Sequence, residues 1–283
     1  MNGRVGVPVR VRRVSSELRE LRLRSGLGAE EVAGALGFSM SKLSRIENGQ
    51  RGLQADDVAA LLGLYRVPAQ RREELLALVR SGAVPNWWQV QDGRLPAMWS
   101  DVIRFEKEAL AIRNYETMFV PGLLQTSEYI GAMGRGTQPD IGVDELDSLV
   151  SARLGRQALL SREDAPEFEV LIEQIALERP VGGADIMYRQ LRHLMDSAER
   201  DNITLRVLPT SLGAHPGMEG PFVLLEFASQ PTLVYLEHRG NSAFVETAEH
   251  VATTTLTLQW LRDIALPPED SIGLVAAIAQ GLT

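Results

Sequence analysis

Residues 29–51, AEEVAGALGFSMSKLSRIENGQR, decide how the N-terminal part of the chain folds. Ala33, Gly37, Leu43 and Ile46 stand at offsets 0, 4, 10 and 13. Two helices that cross tightly need a small side chain at the crossing, and Ala33 supplies it. The sharp turn between them needs a residue that tolerates positive φ, which Gly37 supplies. Leu43 and Ile46 then seat the second helix on the first. That is the pattern of a helix-turn-helix, whose second helix enters the major groove. On these four positions alone, an αα-hairpin that merely packs stays open. Working outward, the spacing predicts helices over 15–25, 29–36, 40–48 (with Ser39 as its cap), 55–64 and 69–81.

Charge agrees with that placement. The chain of 283 residues carries a net −8, which by itself argues against nucleic acid. Residues 1–80, however, hold 14 Arg/Lys against 9 Asp/Glu, whereas the other 203 hold 15 against 28. A head of +5 on a body of −13 makes up the −8, and a basic head is the side suited to phosphate. Apolar residues at 45% and charged residues at 23% are globular usage. With no cysteine there is no disulfide framework or thiolate metal site. His193, His215, His238 and His250 lie scattered, so no metal and no cofactor is expected. No apolar run approaches the ~18–20 residues that span a bilayer. The opening MNGRVGVPVRVRR lacks the apolar core of a signal peptide. A cytoplasmic protein without membrane contact is expected.

The body reads as α+β. AMWSDVIRFEKEALAIRNYE places Val102, Phe105, Ala109 and Ile112 on one helical stripe, Thr126 can cap TSEYIGAMG, and 143–161 is a long amphipathic stretch. Strands are expected at 168–173, 203–209, 222–227 and 232–237, with helices at 183–200 and 247–265. The whole is thus a mainly α head, with five helices around a helix-turn-helix, joined to an α+β body with a small, mostly antiparallel sheet. The domains run 1–13 as a basic arm, 14–81 as the DNA-binding head, 82–100 as a Trp/Pro-rich connector and 101–283 as the body. In the body, His215 reads as a turn residue rather than a base, because no nucleophile or carboxylate stands at triad spacing. Glu163, Asp164, Glu167 and Glu169 read as solvated, and Arg153 and Arg156 as internally paired. No phosphate-loop spacing occurs. An enzyme is not expected.

The run LRELRLRSGLGAEEVAGALGFSMSKLSRIENGQR resembles the XRE (repressor/Cro-like) helix-turn-helix family, most specifically in SKLSRIENGQR. The resemblance implies that Met40, Ser41, Ser44 and Arg45 face base edges, and that Ser39, Lys42, Gln50 and Arg51 contact the DNA backbone. It also implies an ion pair between Arg22 and Glu47. Chemistry suits most of these roles. Arg45 can fork onto guanine O6 and N7, and Lys42, Gln50 and Arg51 suit phosphate. Met40, three residues before Leu43, can equally turn inward. Ala29 departs from the family, which often has a phosphate-touching glutamine there, so only backbone N–H groups remain. Arg4, Arg10, Arg12 and Arg13 precede the first expected helix among alternating valines. They suit either an arm reaching phosphates or a minor groove, or a short edge strand.

The body motifs YETMFVPGLLQTSEY, RLGRQ, VGGADIMYRQLRHL, VLPTSLGAHPGMEGPF and VYLE are similar to those of the actinobacterial WhiJ-like regulators. That resemblance implies an XRE head on a C-terminal domain of unassigned biochemical function, and a small protein partner encoded by a neighbouring gene. The function expected is a sequence-specific repressor, homodimeric on a pseudo-palindromic double-stranded operator, whose body senses that partner or a ligand of unspecified chemistry. The competing reading is an antitoxin-like module that neutralises the partner, with DNA binding as autoregulation.

Overall fold

The computed structural model describes residues 9–49, 53–80, 88–89, 97–228, 230–238 and 241–282. The chain divides into two compact units, Met1–Asn86 and Trp87–Thr283. Among the described residues, five helices build the head: α1 (Val9–Arg24), α2 (Ala29–Leu36), α3 (Met40–Glu47), α4 (Ala55–Leu64) and α5 (Ala69–Arg80). Gly37 ends α2 in the left-handed region at φ 65°. The turn is closed by Phe38 N–H donating to Ala33 O at 2.8 Å, as expected where a glycine follows a helix. Ser39 caps α3, its Oγ accepting from Lys42 N–H at 3.1 Å. Ala33, Leu43 and Ile46 are buried, together with Leu18, Val58, Leu61 and Leu75.

The start of the chain is a correction. Residues 9–13 are the first turn of α1 and not an extended arm, so the boundary at 13/14 falls inside a helix. The reason is a stripe at helical spacing, Val11, Val14, Ser15 and Leu18, all buried, which outweighs the valine alternation. Arg12 is buried on the same side, only 9% exposed. Gly49, at φ 63°, lies against it; a Cβ there would sit 3.5 Å from the Arg12 Cα. Arg10 and Arg13 share this helix. Arg4 lies outside the described residues.

The body is a mixed sheet with helices around it. Its elements are β1 (Trp88–Gln89), α6 (Ala97–Glu108), β2 (Ala111–Glu116), α7 (Ser127–Thr137), α8 (Val143–Gln157), β3 (Glu167–Glu173), α9 (Gln174–Glu178), α10 (Ala184–Ala198), β4 (Ile203–Leu208), β5 (Phe222–Glu226), β6 (Leu233–His238), β7 (Asn241–Val245), α11 (Ala248–Ile264) and α12 (Pro268–Gln280). Among the described residues, the seven strands run β1-β7-β6-β5-β2-β3-β4. β2 pairs parallel with β3, and β3 parallel with β4, while the other four pairings are antiparallel. The fold class is therefore an α head with an α+β body whose sheet is mostly antiparallel. Of the 82–100 connector, the structure describes β1 and the beginning of α6; the remainder lies outside the described residues.

Residues 111–116 correct the helical stripe expected through Ile112. The helix ends at Glu108, and Ala111–Glu116 is a strand between two partners, with Ile112 opposite Phe168 and Leu225. Ladder pairing on both sides wins over the helical spacing of that stripe. The free edge of β4 is covered. Ser271 Oγ of α12 accepts from Val207 N–H at 2.9 Å, and Leu266 N–H donates to Val207 O at 2.9 Å. An edge satisfied in this way does not template further strands.

Candidate nucleic-acid interface

α3 presents two unlike sides. Leu43, Ile46 and Glu47 are buried, whereas Met40, Ser41, Ser44 and Arg45 are exposed. Met40 turns outward, at 46% exposure. Arg45 Nε donates to Ser41 O at 3.1 Å along the helix. Among the described residues its terminal nitrogens make no hydrogen bond, which leaves the fork open. Ser44 Oγ accepts from Asn48 Nδ2 at 3.1 Å.

The residues assigned to the DNA backbone are less uniform. Ser39 is exposed but already engaged as the α3 cap. Lys42 donates from Nζ to Asp57 Oδ1 at 2.7 Å and lies 4.0 Å from the Phe38 ring centroid. Its ammonium is thus held to α4 and reaches a phosphate only by sharing or leaving that carboxylate. Gln50 and Arg51 lie outside the described residues. The first turn of α2 carries Glu30 and Glu31, with no side chain capping at Gly28. Those carboxylates oppose an anion at that helix end.

Beneath the face sits a brace. Arg22 of α1 donates to Glu47 from Nε at 2.7 Å and Nη2 at 2.9 Å, a forked pair of the strong kind. The side chains are 12% and 7% exposed. The hydrogen bond to Glu47 holds the Arg22 guanidinium above its usual range. Arg22 Nη1 also reaches Leu27 O at 3.3 Å. Nearby Tyr65 is pushed up to about 12, by burial first and by Glu47 second. The angle of α3 on α1 is therefore set by a short, two-point contact.

The body holds a second concentration of charge, between the sheet and the helices α6 and α8. Arg156 Nε lies 2.7 Å from Glu106 Oε2, the carboxylate being 3% exposed. Arg153 Nη1 donates to Gln125 Oε1 at 2.6 Å. Asn114 Nδ2 donates to Glu116 Oε1 at 3.3 Å. Burial raises the Glu116 carboxyl to about 7, with Glu237 adding to the effect and Arg153 and Arg156 opposing it. Burial raises Glu106 too, against the pull of Arg156. Internal pairing of Arg153 and Arg156 is as expected; the carboxylates that meet them were not singled out. Their sequence signal was weak: Asn114 and Glu116 are polar at positions sharing a strand face with Ile112.

Elsewhere the body's polar motifs act on the backbone. Gln157 Nε2 donates to Gly122 O and Gln125 O, and Gln190 Nε2 donates to Leu124 O at 2.6 Å while its Oε1 accepts from Thr126 N–H. RLGRQ and YRQLRHL thus hold the PGLLQT turn in place. Glu169 is not solvated; it is buried against Arg262, with Arg113 3.9 Å away. His215 Nε2 lies 3.2 Å from Glu173 Oε1, which also accepts from Tyr115 OH at 2.7 Å. Among the described residues no group of three His, Asp or Glu is placed to hold a metal ion.

A family model described as a domain of unknown function (DUF5753) matches residues 99–277, well over half of the chain. The chain belongs to the DUF5753 family. A helix-turn-helix domain matches residues 13–75, across α1 to α5. No curated protein and no solved structure matches the chain. The DUF5753 match spans α6 to α12, including the buried charges, and the helix-turn-helix match makes this DUF5753 protein a DNA-binding regulator. No described helix is long and apolar enough to cross a membrane.

Proposed function

We propose that this protein is a transcriptional repressor of the XRE, WhiJ-like kind, which binds a pseudo-palindromic operator as a homodimer and performs no chemistry of its own. The observation that carries the reading is the division of α3, with Met40, Ser41, Ser44 and Arg45 outward and Leu43, Ile46 and Glu47 locked inward. One recognition helix reads too few base pairs for selectivity in a genome, so two heads act together. The DUF5753 body supplies that pairing and the surface for a small protein partner. Against catalysis stands the setting of His215, whose Nε2 lies 3.2 Å from Glu173 Oε1, an oxygen already accepting from Tyr115 OH.

The test is operator binding by fluorescence anisotropy, on a site selected from the genomic DNA flanking the gene. Arg45→Ala should weaken operator binding by ~1–3 kcal/mol, the worth of a forked guanine contact, and random DNA by much less. Equal losses on both would make Arg45 a phosphate contact and would overturn the register.

A further inference from the structure

α11 is apolar on two opposite sides. Its inner side places Leu258, Leu261 and Ala265 in the core against Tyr115, Leu171 and Val234. Its outer side exposes Leu256 at 58%, Trp260 at 59% and Ile264 at 37%, one turn apart each. Residues 251–261, VATTTLTLQWL, contain no charged side chain, in a body whose residues 81–283 sum to −13. The apolar ridge continues onto the loop before β5. There Leu212 is 37% exposed and lines a pocket of about 370 Å³ together with Trp260 and Ile264, the lining also including His215 and Asp263. A helix with apolar residues on two sides is normally covered on both.

We propose that this outer face of α11 is where two copies of the chain pair, a surface that rests on the reading of the protein as a two-copy regulator. Three features select a second copy as the occupant. A twofold interface brings a patch against itself, so a charged patch would repel its mate; residues 251–261 are uncharged, and Asp263 enters only in the lining of the hollow. The patch carries both a projection, Leu256 and Trp260, and a hollow beside it, so two copies can fill one another. Its exposed apolar side chains offer on the order of 500 Å² per copy. That is close to the apolar share of the ~800 Å² that each partner gives a standard interface.

The test is the mass of the full-length protein by analytical ultracentrifugation across 0.1–100 μM, as roughly spans weak and strong dimers. The wild type should sediment as a dimer. Trp260→Glu and Leu256→Glu, both at exposed sites, should each weaken self-association about thirtyfold or more, the scale of an interface hot spot. Their melting temperatures should stay unchanged, and Trp260→Phe should remain dimeric. If one glutamate variant melts early, the other decides. A dimer that persists in both glutamate variants overturns the α11 assignment while leaving the two-copy regulator intact. A wild type that is monomeric both free and on its operator overturns the regulator reading as well.

Discussion

Glu116 shares a face of β2 with Ile112 and Asn114, and its carboxyl is raised to about 7 because burial disfavours the charged form. In the unfolded chain the same group has an ordinary value near 4.5. Between these two values the folded state binds the proton and the unfolded state does not, so stability falls as pH rises through that window. The full loss is roughly 3 kcal/mol above pH 8, since one unit is worth ~1.4 kcal/mol. The groups around it, Glu237, Arg153 and Arg156, set how steep the fall is. The body's melting transition should therefore move down between pH 5 and pH 8. Glu116→Gln, which keeps a neutral side chain of the same shape, should flatten that profile and raise stability at pH 8. A profile that stays as steep in this variant as in the wild type would assign the dependence to another group.

At the scale of elements, α1 shows how two periodicities can share one stretch of chain. The valines at 5, 7, 9 and 11 alternate, but Val11, Val14 and Leu18 repeat at helical spacing, and burial follows the second pattern. Arg12→Ala should accordingly lower the melting temperature of the head, by the ~1–2 kcal/mol of a buried stem. The slope of log K against log[salt] on DNA should stay as it is. A slope smaller by about 0.9 with unchanged melting would return Arg12 to the phosphates. The same competition explains what was legible beforehand. α2 and α4 were readable to the residue and α3 to within one, because apolar spacing is clear in all three, with Gly37 ending α2 and Ser39 capping α3. β2 was misread because Val102, Phe105, Ala109 and Ile112 satisfy a helix, and only the partners β3 and β5 reveal the strand. β7 and α12 passed unnoticed for a related reason. NSAFV is short and mixed, and α12 acquires its role only by closing the edge of β4. The outward set on α3 was legible from the family motif, whereas the buried charges of the body required the fold to bring four distant segments together.

The molecule as a whole couples a head of +5 to a body of −13, and the two charges act oppositely on DNA. Phosphate attraction dominates non-specific binding, so a −13 body lowers the affinity of the intact chain for random sequence. On the two-copy reading proposed above, operator binding depends instead on two heads engaged at once, which linkage through paired bodies would favour by raising the effective concentration of the second head. Separating residues 1–86 from the rest, at the boundary between the compact units, should then move the two affinities in opposite directions. The fragment should bind random DNA more tightly than the intact chain at low salt, and its operator more weakly. Its operator salt slope should be about half that of the full protein, because one head neutralises half as many phosphates. Anisotropy titrations at several salt concentrations would read all three quantities together. A fragment that loses affinity equally for both DNAs would mean that the body itself contributes DNA contacts. A fragment that keeps the full operator slope would mean that a single head already makes every phosphate contact.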